Sequence, residues 1–141
     1  MKKAVIILIV FSMAYGIKGE CASFKTEIKV NQEVSIDNNN LKIKLIRVVE
    51  DKRCPEVLDC YWSGYAKVEI GVKVGKVDYG YHFISNINNK AYNLTNEISV
   101  SDYRIKLEFL GIKPSKRLDN EKRIKKKVNP EDYMIQLVVT K

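Results

Sequence analysis

The chain has 141 residues and carries 25 Lys and Arg against 17 Asp and Glu, a net charge of +8 at neutral pH. That length fits one domain, able to bury roughly two thirds of the surface its unfolded form exposes, and leaves little room for a second. With one histidine and three cysteines, at spacings that match neither paired Cys-x-x-Cys zinc sites nor a thioredoxin-type pair, metal and dithiol redox chemistry are set aside.

Met1-Lys2-Lys3 followed by the apolar run from Ala4 to Ala14 has the charged start and short apolar stretch of a secretory signal. A bilayer span would need about 20 apolar residues, so no transmembrane span is expected in the mature protein. Ala14-Tyr15-Gly16 offers small residues for cleavage, and Ile17-Lys18-Gly19 nearly does. The expected layout is a signal peptide over residues 1–19 and one domain over 20–141. Cys21 stays with the mature chain as a candidate for lipidation, an intermolecular bridge or a free thiol; the Lys18-Gly19-Glu20 before it is a poor lipoprotein pattern, and the free thiol is expected.

Beyond Phe24, apolar residues recur at every second position, the period of a strand with one buried face. Phe24, Ile28 and Val30 predict a first strand, and Val34 with Ile36 a short second one. Asp37-Asn38-Asn39-Asn40 is a turn, because these side chains tolerate left-handed backbone. Leu41, Ile43 and Leu45 then alternate with lysines until the phase slips at Ile46, which implies a bulge.

Ala66, Val68, Ile70, Val72 and Val74 form the clearest strand, turning at Gly75-Lys76 into a return strand. There, simple alternation puts Val77, Tyr79, Tyr81 and Phe83 on one apolar face, with Asp78 and His82 on the other. His82 without a companion nucleophile is expected to be a surface residue. A weakly patterned strand lies between Tyr92 and Val100. Tyr103, Ile105, Leu107 and Phe109 make another strand, with a slip at Leu110, and Tyr133, Ile135, Leu137 and Val139 the last. Seven or eight strands with one-sided alternation and no helical period predict an all-β antiparallel sandwich, with a partly open barrel as the alternative.

One stretch departs from this pattern. Asp51 to Gly64 holds Cys54, Cys60, Pro55 and Trp62, the one tryptophan of the chain. In an oxidising compartment Cys54 and Cys60 are expected to form a disulfide, pinning a knuckle between two strands. The structural reading buries Trp62 beside the bridge and holds Arg53 on Asp51 or Asp59, with Gly64 free to take positive φ. The functional reading makes Arg53, Tyr61, Trp62 and Tyr65 a contact for a glycan or peptide.

Asp51, Arg53, Cys54 and Pro55, followed by Cys60, Trp62, Gly64, Ala66 and an alternating strand, resemble the signature of a family of small exported bacterial proteins and lipoproteins of uncharacterised function. The resemblance implies export, a β-sandwich of about this size and lipidation in many members. It implies no activity.

Between Ile112 and Pro130 charge replaces pattern: Lys113, Lys116, Arg117, Lys122, Arg123, Lys125, Lys126 and Lys127 against Asp119 and Glu121, a net +6. This is a solvated loop over 113–127 or a contact for a polyanion such as phospholipid head groups or envelope polymer. Without aromatic residues for stacking, it is not expected to bind nucleic acid. The expected function is therefore a non-enzymatic exported protein of the periplasm, envelope or medium, without cofactor or metal, that binds a partner protein or anionic envelope component. The alternative is a glycan-binding or inhibitor-like module built on the knuckle.

Overall fold

A computed structural model of the chain describes residues 21–54, 60–61, 64–111 and 129–141. The signal segment 1–19, Trp62 and the basic stretch 113–127 lie outside the described residues. Within them eight strands form: β1 Ser23–Lys29, β2 Glu33–Ile36, β3 Leu41–Asp51, β4 Ala66–Val74, β5 Val77–Ser85, β6 Glu97–Val100, β7 Tyr103–Leu110 and β8 Met134–Thr140. They make two antiparallel four-stranded sheets, ordered β1-β8-β7-β6 and β2-β3-β4-β5. Spatial neighbours follow chain order, but β1 and β2 are not paired, nor are β5 and β6, so the circuit stays a sandwich and does not close into a barrel.

The alternation read from the sequence supplies the core. Ile43 and Leu45 of β3, Val68 and Ile70 of β4, Ile105 and Leu107 of β7, and Ile135 and Leu137 of β8 are all buried in one apolar cluster shared by the two sheets. At the β2–β3 turn, Asp37, Asn38 and Asn39 take φ of 52°, 54° and 66°, the left-handed region where short polar side chains are the least penalised non-glycine residues.

That turn is tied to the other sheet. The Tyr103 hydroxyl donates to Asp37 and accepts from Asn40 Nδ2 at 2.7 Å, while Lys141 Nζ reaches Asp37 Oδ2 at 2.7 Å. These contacts, the ammonium first and the phenol second, hold the Asp37 carboxyl below its ordinary range.

Bulges decide which faces the residues occupy. In β3 the register shifts between Leu45 and Arg47, where the sequence slip at Ile46 lies, and again between Val48 and Glu50. In β7 it shifts between Leu107 and Phe109, leaving Phe109 exposed and Leu110 buried.

The return strand β5 differs from simple alternation. Gly71 pairs with Tyr81 and Lys73 with Asp78, so β5 carries one extra residue there. Gly80 sits in that bulge at φ 75°, its N–H bonded to Asp78 Oδ1 at 2.8 Å. Only glycine adopts this conformation without steric cost. Beyond it the faces exchange. Tyr81 and Phe83 stand opposite Gly71 and Glu69 on the solvent side, whereas His82 and Ile84 stand opposite Ile70 and Val68 on the inner side. His82 therefore shares the core-side face, with Nε2 3.1 Å from the Tyr79 carbonyl.

Replacing Tyr103 by Phe removes the hydroxyl that joins the β2–β3 turn to β7. The expected loss is about 1–2 kcal/mol of unfolding free energy, measured by urea denaturation; an unchanged midpoint would show that the turn does not depend on it.

Candidate functional site

The knuckle is built on a buried ion pair. The second bulge of β3 shifts the register so that Glu50 pairs with Lys67 on the outer side and Asp51 with Ala66 on the inner side. Arg53 folds back onto Asp51, its Nε 2.8 Å from Oδ1 and its Nη2 2.8 Å from Oδ2, and Nη1 donates to the Leu110 carbonyl at 2.6 Å. Tyr133 OH donates to Asp51 Oδ2 at 3.0 Å. Both charged side chains are more than nine-tenths buried. One guanidinium thus joins the end of β3 to the end of β7 across the sandwich, and the phenol preceding β8 closes the group.

Cys54 and Cys60 are bonded, with Cα atoms 5.8 Å apart. Gly64 has φ 65°, and a Cβ there would stand 2.0 Å from the Lys52 carbonyl oxygen, so the chain leaves the knuckle through a position only glycine fits. Tyr61 is fully exposed. Asp51, Arg53, Cys54, Cys60 and Gly64 come together as a knuckle in which the Asp51 and Arg53 side chains turn inward onto each other. Cys21 is exposed and its Sγ donates to the Lys141 carbonyl at 2.9 Å.

Tyr133 was not marked by the sequence as part of this group, because nothing local links it to a residue 82 positions away. Burial and the neighbouring Asp51 carboxylate push its hydroxyl up to about 12.

The outer face of the β2-β3-β4-β5 sheet is a second candidate that sequence reasoning missed. The Gly80 bulge turns Tyr81 and Phe83 outward, leaving them 70% and 46% exposed. Lys67 Nζ lies 4.9 Å from the centre of the Phe83 ring, and Arg47 pairs with Glu69 at 2.6 Å beside it. Further along, a trough of about 410 Å³ is lined by Lys42, Lys44, Ile46, Gly71, Lys73 and Tyr81 together with Glu33 and Asp78. Lys42 and Lys73 are directly opposed across β3 and β4, a placement that costs stability for like charges. Lys73 has Asp78 at 3.7 Å, whereas Lys42 and Lys44 have no ion pair among the described residues. The available signal was Gly80 inside an aromatic alternation, since a lone glycine in a strand marks a bulge.

Among the described residues no group of three His, Cys, Asp or Glu side chains is arranged to hold a metal. No family model matches the chain, and no curated protein or solved structure is significantly similar to it.

Substituting Asp51 by Asn leaves the Arg53 charge buried without its counter-charge and is expected to cost about 3–5 kcal/mol in urea unfolding with the disulfide intact. Replacing both residues together, Asp51→Leu with Arg53→Met, is expected to cost clearly less, because no charge is then stranded. A double variant no more stable than Asp51→Asn would contradict this account of the clamp.

Tyr133 carries a pH signature. Its folded hydroxyl keeps its proton up to about 12, above the ordinary value of 10.0, so its contribution to stability is complete below the ordinary value and is lost as the pH rises through that window. Short-exposure unfolding curves should decline more steeply there in the wild type than in Tyr133→Phe; equal slopes would exclude the phenol as the cause.

Proposed function

We propose that this chain is a non-enzymatic exported protein that binds an anionic component of the cell envelope. The observation that carries the reading is the outer face of the β2-β3-β4-β5 sheet, where Tyr81 and Phe83 are held out in solvent among Lys42, Lys44, Lys67 and Lys73. Exposed aromatic rings cost solvation that burial would recover, and a bulge with an obligatory glycine is the device that keeps them out.

Charge in the stretch 113–127, net +6, supports the same preference for an anionic partner. Export is supported by the N-terminal signal pattern, by the resemblance to exported bacterial proteins and by the Cys54–Cys60 disulfide, which persists in oxidising compartments. Among the described residues no helix is long and apolar enough to cross a membrane. The knuckle serves here as scaffold, because its guanidinium is spent on Asp51 and the Leu110 carbonyl.

The exported protein should co-sediment with purified bacterial envelope fragments at low salt and be released at high salt, since exposed charge contacts are screened beyond about 10 Å at 0.1 M. Absence of binding at low salt, or binding indifferent to salt, would overturn the proposal.

A further inference from the structure

We infer that the trough between Lys42, Lys44, Lys73 and Tyr81 is a subsite for an acidic sugar unit of an envelope polysaccharide. The inference rests on the binding reading above and names the ligand chemistry of that face.

The floor is Gly71. A Cβ there would lie 3.5 Å and 3.6 Å from carbons of the Tyr81 ring and 3.7 Å from Ile46 Cδ1, so the ring and the Ile46 side chain border the space over β4 that a side chain would otherwise occupy. The Tyr81 ring nonetheless remains mostly exposed. An aromatic wall over a shallow apolar floor suits the C–H face of a pyranose ring, which an aromatic ring covers by apolar and C–H contact.

The charged side chains of the trough supply the rest of the recognition. Directly opposed residues on antiparallel strands have Cα atoms about 4.5–5.5 Å apart, so Lys42 and Lys73 can close on one anionic group. Lys44 lies two residues, or about 7 Å, along β3. An anion between the opposed lysines would remove the repulsion that their placement creates. Glu33 stands opposite Lys44 in the register of β2 and β3 without forming an ion pair, and Asp78 flanks Lys73. These carboxylates can only accept hydrogen bonds and repel other anions.

A ligand that satisfies lysines and carboxylates in one trough carries an anionic group together with hydroxyl donors, as a uronate or a sugar phosphate does. A bare polyphosphate has the charge but lacks the donors. A lipid surface fits less well, because Tyr81 and Ile46 lie among charged side chains, and inserting them would carry Glu33 and Asp78 toward anionic head groups.

Calorimetric titration of the exported protein with oligogalacturonate, glucose 6-phosphate, neutral maltotetraose and inorganic polyphosphate tests this. Oligogalacturonate is expected to bind at least about tenfold more tightly than maltotetraose and polyphosphate, a difference of about 1.4 kcal/mol. Binding of glucose 6-phosphate instead would keep the acidic-sugar subsite and assign the anionic group to phosphate. Lys42→Glu with Lys73→Glu, and separately Tyr81→Ala, should each weaken that binding about tenfold or more in protein that stays folded by circular dichroism. Lys42→Gln and Tyr81→Leu are milder substitutions for use if either of these fails to fold.

Polyphosphate binding as tight as oligogalacturonate binding, or indifference to loss of the Tyr81 ring, would overturn the sugar subsite while leaving salt-sensitive envelope binding intact. If the protein fails to bind envelope fragments at low salt, the broader reading falls with it.

Discussion

The buried pair between Asp51 and Arg53 is the contact on which the arrangement of this sandwich most depends. Two charged groups are withdrawn from water, and withdrawal is tolerated because every side of the pair is engaged: both carboxylate oxygens accept from the guanidinium, the remaining acceptor capacity takes the Tyr133 hydroxyl, and the third guanidinium nitrogen meets the Leu110 carbonyl. No buried side-chain nitrogen or oxygen among the described residues lacks a hydrogen-bond partner. A pair of this kind adds little net stability over apolar residues of similar shape, but it penalises every packing in which one partner is missing. Here it sets where the end of β3, the end of β7 and the approach to β8 meet. The disulfide acts beside it on a short loop, for which chain-entropy arguments give a modest contribution of about 2 kcal/mol.

Bulges set what the two faces of the molecule offer. An extra residue in β3 turns Asp51 inward and so makes the clamp possible, and the extra residue at Gly80 in β5 turns Tyr81 and Phe83 outward and so makes the aromatic, lysine-rich face. The same device, a single inserted residue, therefore creates both the buried Asp51–Arg53 clamp and the exposed pair of rings at Tyr81 and Phe83. Because side chains alternate with a period of two, one added residue is the smallest change able to do this.

The division of labour that results is simple. The knuckle spends Asp51 and Arg53 internally and holds the ends of strands together, while the sheet beside it leaves Lys42, Lys44 and the Tyr81 and Phe83 rings facing solvent. Glu69 is engaged by Arg47 and Asp78 by Lys73, whereas Lys42 and Lys44, which line the Gly71 trough, have no ion pair among the described residues. The lysines gathered at that trough, rather than the net charge of the chain, give the proposed binding face its character.

Much of the fold was legible in the sequence, because a half-buried strand writes its burial directly as alternation. Leu41, Ile43 and Leu45, Ala66 through Val72, and Ile135 through Val139 name their own inner faces, and the Asp37-Asn38-Asn39 run and Gly75 name their turns through the backbone they permit. The pairing of Cys54 with Cys60 was readable from their spacing together with the export expected from the N-terminal pattern. What alternation cannot report is where an extra residue enters a strand when neither neighbour breaks the apolar pattern. Tyr79-Gly80-Tyr81 therefore read as one face although it spans a change of face. Nor can it report contacts between residues far apart in the chain. That Tyr133 and the Leu110 carbonyl would complete Asp51 and Arg53, and that Lys42 would stand opposite Lys73 beside an exposed Tyr81, was decided by strand register, which emerges only when the whole sheet is assembled and its buried groups are satisfied together.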